Sequence, residues 1–314
     1  MKNNLAIIIP AYKSYFLERT LESLSNQTNK KFNVYIGNDN SPDNLEEIIN
    51  LFRGKLNIIY KRFDDNLGAN SLVKPWERCI ELSTEDWIWL FSDDDIASPT
   101  CVENFFNEIK QNSEAIFFKF STKIIDSQGK VLPERNIVKN QFKKEIYPLD
   151  FLNSRLNSSG FRSFAVEYIF SRELFNSYKF KSFPIAWASD DATWFMYALC
   201  ANKIIGINDI VYWRLSGQNI SSISKSKDIV FKKMDATQQF VKWLILFCES
   251  NKIDLNFILL FHWLTIQISS VNYKVNYKLF NEILKQTDLF DKVGLVLKVK
   301  KFIIIKYYHI RNGF

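Results

Sequence analysis

An α/β fold with a mostly parallel central sheet flanked by helices is predicted by three observations. Apolar β-type runs alternate with segments of helical spacing through residues 5–91. The runs are continuously apolar rather than alternating, as in strands covered on both faces. Turn-forming residues follow each run, so the connections are helical crossovers between parallel strands, not hairpins. From about residue 226 only long helical patterns remain, which predicts a C-terminal helical extension.

Taken in order, Leu5 to Ile9 is an apolar run stopped by Pro10, and Phe16 to Gln27 carries Leu17, Leu21 and Leu24 at helical spacing. Phe32 to Ile36 is a second strand, followed by the turn-rich Gly37-Asn38-Asp39-Asn40-Ser41-Pro42. Leu45 to Phe52 reads as a helix, Asn57 to Tyr60 as a short strand and Asn66-Leu67-Gly68 as a turn. Ser71 to Ser83 is helical and leads into Trp87–Phe91. Beyond it, 115–120 and 123–125 read as two strands before a turn at Ser127-Gln128-Gly129. Phe164 to Phe170 is strand-like, Arg172 to Phe175 opens a short helix, and 192–201 is amphipathic. Residues 204–214 make one or two strands, and helices are predicted at 229–250, 256–271, 277–287 and 289–308. The division follows: 1–225 as an α/β body, with halves 1–105 and 106–225, and 226–314 as the extension.

The chain has 314 residues, 47% of them hydrophobic, enough for a large core and too apolar for disorder. Its net charge of +7 suits anionic partners without distinguishing nucleic acids, nucleotides and membrane surfaces. Cys79, Cys101, Cys200 and Cys248 lie far apart with no CxxC pair, which predicts buried, reduced thiols and a cytoplasmic setting. No run reaches the roughly 18 apolar residues a spanning helix requires, and the opening apolar run is too short for a secretory signal.

In open α/β sheets, ligands bind where the strands end at their carboxyl side. The loops there are Pro10-Ala11-Tyr12, Asn38 to Ser41, Asn66 to Gly68 and the triplet Asp93-Asp94-Asp95. Three adjacent carboxylates raise one another's pKa unless a cation neutralises them. With oxygen ligands and no neighbouring His or Cys, that cation is a hard divalent ion, Mg²⁺ or Mn²⁺, of the kind that holds phosphates. A solvated acidic turn is the competing reading.

Taken together the motifs resemble those of family 2 glycosyltransferases of the GT-A fold, over residues 5–215. Ile7 to Tyr12 is similar to the family's opening strand and Pro-x-Tyr/Phe-Asn turn, with Lys13 in place of Asn. Leu21 to Gln27 carries its Ser-x-x-x-Gln helix signature, and Asn38-Asp39-Asn40-Ser41 its Asp-Asp-Gly-Ser loop, with Asn38 replacing the first Asp. Asn66-Leu67-Gly68 resembles the Asn-x-Gly turn, Asp93-Asp94-Asp95 with Pro99 the Asp-x-Asp region, and Ser189-Asp190-Asp191 the late acidic pair.

The resemblance implies a metal-dependent, inverting transfer of one sugar from a nucleotide-sugar donor. It implies that Pro10, Ala11, Tyr12, Asn66 and Gly68 shape the nucleotide site and that Asp39 accepts the uracil N3–H, which points to a UDP-sugar. It makes Asp94 the first metal ligand and Asp95 a second ligand or a neighbour of the sugar, with Asp93 near the ribose or metal waters. Asp191 becomes the general base and Asp190 a neighbour that orients the acceptor or the base, against a purely helix-capping role. Arg214 is assigned to phosphate, with a surface salt bridge as the alternative, while Lys74 and Arg78 are both candidates for the diphosphate. The implied acceptor is a glycan or lipid-linked oligosaccharide of bacterial O-antigen, capsule or lipooligosaccharide assembly, with no nucleic acid.

Residues 292–314 interleave Lys292, Lys298, Lys300, Lys301, Lys306 and Arg311 with apolar side chains. That pattern fits either an anionic membrane surface or a packed helix with snorkelling lysines. The rival enzyme class, a sugar-phosphate nucleotidyltransferase, requires a Gly-rich basic loop after the first strand, and Pro10-Ala11-Tyr12-Lys13-Ser14 is not one.

Overall fold

The computed structural model of the protein describes residues 4–69, 71–135, 142–157, 163–217, 227–269 and 285. The elements run β1 (Leu5–Ala11), α1 (Leu17–Ser25), β2 (Phe32–Asn38), α2 (Leu45–Asn50), β3 (Ile58–Arg62), α3 (Val73–Ile80) and β4 (Trp87–Leu90). They continue with β5 (Ile96–Ala97), α4 (Cys101–Gln111), β6 (Phe117–Ile125), β7 (Glu145–Ile146), α5 (Pro148–Asn157), β8 (Tyr168–Ser171), α6 (Arg172–Tyr178), α7 (Ser189–Ala201) and β9 (Ile204–Arg214). Two long helices follow, α8 (Lys227–Ser250) and α9 (Phe257–Ser269).

All nine strands join one sheet in the order β3-β2-β1-β4-β8-β6-β9-β5, with β7 also on β9. β1, β2, β3 and β4 are mutually parallel, and β6 and β9 are parallel to each other. β8 is inserted antiparallel between β4 and β6. Pro10 does not end β1. It pairs with Gly37 on β2, while the β4 register stops at Ile8. Beyond that point β1 is open on one flank, where a residue without an N–H is tolerated.

The alternation along β1 sets the layers. Leu5, Ile7 and Ile9 join one core with Leu17, Leu21, Leu45, Ile49, Phe105 and Ile109 of α1, α2 and α4. Ala6 and Ile8 face the other, with residues of α3, α5, α6, α7, α8 and α9. Both faces of the sheet are therefore covered, as the apolar runs require. The predicted helical extension begins with α8 and α9, and Phe240, Leu244, Leu260 and Leu264 share the second core with Ile8 and Leu90.

Several boundaries differ from the sequence reading. Residues 117–125 form one strand, because β9 pairs along it through a bulge opposite Phe120 and Ser121. The segment 165–167 is a 3-10 turn before β8. α4 and α5 were not anticipated. Cys200 is exposed, not buried like the other three thiols. The predicted helices 277–287 and 289–308, and the basic stretch 292–314, lie outside the described residues apart from Lys285. Among the described residues no helix is long and apolar enough to cross a membrane.

Candidate active site

The parallel register brings the carboxyl ends of β1, β2 and β4 together, and backbone hydrogen bonds bind their loops. Asp39 N–H donates to Ala11 O at 3.0 Å. The amides of Tyr12 and Lys13 donate to Asp93 Oδ2 at 2.9 and 3.0 Å, fastening the β1 loop to the acidic triplet. Ser41 Oγ donates to Tyr12 O. Pro10, Ala11, Tyr12, Asp39 and the triplet thus occupy one cluster, as predicted from their positions after strands.

Asp39 is nearly buried and accepts from Leu67 N at 3.2 Å and Gly68 N at 2.7 Å. Its other partner is the Arg78 guanidinium, which also pairs with Asp65 and stacks 3.9 Å from the Phe63 ring centre. A β-carbon at position 68 would lie 2.7 Å from Asp39 Oδ2, so the turn approaches this carboxylate only because residue 68 is glycine. Asn66 closes that turn by accepting from Ala69 N at 2.9 Å. Asn38, wholly buried, bridges Tyr60 Oη and Ser41 N, holding the loop without a charge.

In the triplet, burial pushes all three carboxyls up. Asp94 rises to about 7 through burial and the neighbouring Asp93 charge, with Lys13 and Arg214 opposing. Asp93 is raised by burial against the stabilising amides of Lys13 and Tyr12. Asp95 is raised well above the ordinary range by burial and by Asp94. Its Oδ1 accepts from Arg214 N at 2.9 Å, while its buried Oδ2 has no hydrogen-bond partner.

Arg214 is fully buried and so forms no surface salt bridge. Its Nε donates to Asp94 O at 2.8 Å and an Nη to Asp126 O at 3.0 Å, with the guanidinium 4.5 Å from the Phe16 ring centre. It fastens the acidic loop to the end of β9 and the turn after β6.

A second cluster forms on α7. Asp190 and Asp191 lie in its first turn rather than at its cap, which is Ala188 in the left-handed region. Asp191 is gripped by both arms of Arg155 from α5, Nε to Oδ1 at 2.7 Å and Nη2 to Oδ2 at 2.8 Å. Asp190 is raised to about 7 by burial and by the Asp191 charge, with Arg155 opposing. Arg155 also acts on the Tyr168 phenol at the start of β8. Since Ile169 pairs with Trp89, that end of β8 flanks the carboxyl end of β4, and the acidic pair stands on the triplet's side of the sheet.

Two features were not anticipated. Arg155 lies in a short helix with only Phe151, Leu152 and Leu156 buried, a weak periodic signal. The backbone before α7 is strained: Ile185, Ala186 and Ala188 have φ of 51°, 55° and 60°. A β-branched residue there is a marked departure that nothing in single-sequence patterning reveals.

The sequence matches the model of Glycosyl transferase family 2 over residues 6–170, more than half of the chain. It is 23% identical over 307 residues to Glycosyltransferase GlyG of Streptococcus pneumoniae serotype 4, covering 96% of this chain and 97% of that one. A shorter match, 30% identical over 132 residues, is to the uncharacterized glycosyltransferase MJ1057 of Methanocaldococcus jannaschii, covering 41% and 44% of the two chains. In three dimensions it is similar to S. aureus TarS 1-349 in complex with UDP-GlcNAc, with a TM-score of 0.60 and 18% identity over 99% of this chain and 92% of that one. The corresponding complex with UDP gives a TM-score of 0.56. The parallel sheet, its loop clusters and the family match together make this chain a glycosyltransferase of family 2 with a GT-A fold.

Proposed function

We propose that the protein is a metal-dependent, inverting glycosyltransferase. It moves a single sugar from a UDP-sugar to a glycan or lipid-linked glycan acceptor in the assembly of a bacterial surface polysaccharide. The observation that carries this reading is the acidic triplet, with raised carboxyls and a partnerless buried oxygen on Asp95, bound by backbone amides to the loop of β1, which is itself bonded to that of β2. TarS in complex with UDP-GlcNAc supports the nucleotide class.

Among the described residues no three His, Cys, Asp or Glu side chains converge on a metal point. Mg²⁺ and Mn²⁺ are commonly held by one or two carboxylates with substrate phosphates supplying the rest. Asp94 and Asp95 would hold the ion. When bound, it neutralises charge on the departing diphosphate.

The chain's own residues do the remaining work. Asp39 uses three of its roughly four acceptor sites on Leu67, Gly68 and Arg78, which leaves room on Oδ2 for the uracil N3–H. Pro10, Ala11, Tyr12, Asn66 and Gly68 wall the nucleotide. Asp93 keeps the β1 loop against the triplet, and the buried Arg214, expected from the sequence at the phosphate, acts by fixing the acidic loop from below. Asp191 takes the proton of the acceptor hydroxyl as its oxygen attacks the anomeric carbon, and Asp190 adds a second negative charge that favours this transfer. We place the enzyme in the cytoplasm, with 292–314 drawn to anionic membrane.

The test is thermal stabilisation. UDP-sugars, UDP-GlcNAc first, should raise the melting temperature in the presence of Mn²⁺ and fail to do so in Asp94→Ala. GDP-sugars should have no effect. Stabilisation by no nucleotide, or an unchanged response in Asp94→Ala, overturns the metal–diphosphate reading.

A further inference from the structure

Asp191 has both carboxylate oxygens in the fork of Arg155, whereas Asp190, one residue away on the same helical turn, accepts no hydrogen bond from a side chain of the described residues. The two carboxylates are thereby made unequal. A guanidinium fork is planar and fits a carboxylate at two points, so it fixes rotation as well as position, which a lysine cannot do. The fork reaches in from α5, whose Phe151, Leu152 and Leu156 are buried. Those side chains line a small cavity with Phe195 of α7 and Phe240 and Trp263 of α8 and α9, and Arg155 and Asp191 close its polar end.

We propose that Arg155 is a positioning residue of the acidic pair, holding Asp191 from α5 in the orientation of the base and leaving Asp190 outside the fork. The inference rests on the reading of this pair as the base of the transfer. Arg155 still leaves each Asp191 oxygen a lone pair for the acceptor hydroxyl. Ionised Asp190 restores negative charge that the guanidinium offsets.

Among the described residues, three elements, α7, α5 and β8, bring charged or titratable groups to the pair. Asp190 faces Asp191 on its own helix and Arg155 from α5. Behind Arg155 are the Tyr168 phenol from β8 and Glu167, itself paired with Lys119 of β6 and bonded to Thr122. Burial and Asp191 raise the Asp190 carboxyl to about 7, and Arg155 is the cation that opposes them.

The experiment is a titration of the aspartate side-chain carbons by ¹³C NMR in the intact protein, without donor. The signal titrating near neutrality that disappears in Asp190→Asn belongs to Asp190, which separates it from Asp94. In Arg155→Gln it should move to higher pH by about one unit or more, the usual effect of removing an opposite charge at this range. In Arg155→Lys, where charge stays and the fork is lost, it should hold near its wild-type position while UDP release from UDP-GlcNAc falls about tenfold at unchanged KM. In Asp191→Asn it should move to lower pH. A titration unmoved in Arg155→Gln overturns the proposal. Should that variant not fold, an unmoved titration in Asp191→Asn does so. Full turnover by Asp191→Asn overturns instead the assignment of the base and leaves the titration test of Arg155 intact.

Discussion

At Gly68 the absence of a side chain lets a turn donate two amides to Asp39, and Arg78 completes the carboxylate's surroundings from α3. The Asn-x-Gly pattern and the position of Asp39 were readable from the sequence, because both are local. The pairing of Arg78 with Asp39 was not, since it depends on which face of α3 lies against the β2 loop. Asp190 gives the scale's testable consequence. Its carboxyl binds a proton more tightly in the folded protein, with a value of about 7, than at the ordinary 3.8. Its contribution to stability is therefore complete below the ordinary carboxylate range and is lost as pH rises through about 7. Asp190→Asn should match the wild type near pH 4 and be the more stable protein above pH 7, with the gap opening between. Urea unfolding at stepped pH measures this, and a gap that closes with rising pH would contradict the assigned direction.

Strands were the most readable elements, because a short, continuously apolar run ending in Pro, Asn or Asp is seldom anything but a buried strand. α4 was equally readable in principle: Cys101, Val102, Phe105, Phe106 and Ile109 stand at helical spacing and all are buried. α5 offers fewer signals, and the bulge that fuses residues 117–125 into one strand arises from β9, far away in sequence. The strained entry to α7 was hidden because left-handed backbone at Ile185, Ala186 and Ala188 runs against their residue types. Such strain persists only where surroundings over-determine it. Here Ser189 Oγ accepts from Phe183 N at 2.9 Å, and Thr193 Oγ1 donates to Ser189 O at 2.7 Å. Ala188→Gly should raise stability by about 0.5–1 kcal/mol by relieving one left-handed residue, yet lower turnover by loosening the turn that aims Asp190 and Asp191. Paired unfolding and UDP-release measurements check this, and a destabilised variant of normal turnover would refute it.

Across the whole molecule, α8 and α9 are continuous with the core beneath the sheet. Phe240 lies 4.8 Å from the Trp263 ring centre and 6.0 Å from that of Phe183, joining both helices to the segment before α7. Phe240→Ala should cost about 3–5 kcal/mol, the usual loss for a buried phenylalanine. It should lower a single calorimetric transition, sheet and helices together. Two separate transitions, with only one affected, would mark residues 227–269 as an independent unit. The change of pattern near residue 226 was plain in the sequence, but whether it meant a separate module or a second layer was not, because helical periodicity identifies an apolar face without naming what covers it.

α5 is packed between α7 and α9, with Arg155 on it. This placement has a consequence for inheritance. On the proposed role of Arg155, a substitution in α9 that shifts α5 would displace the guanidinium from Asp191 and lower turnover from a position far along the chain. In a random-mutagenesis screen such alleles would map to the helices after residue 226 and be recovered as inactive but folded. Their suppressors would arise in α5 and α7, the two helices that the fork joins.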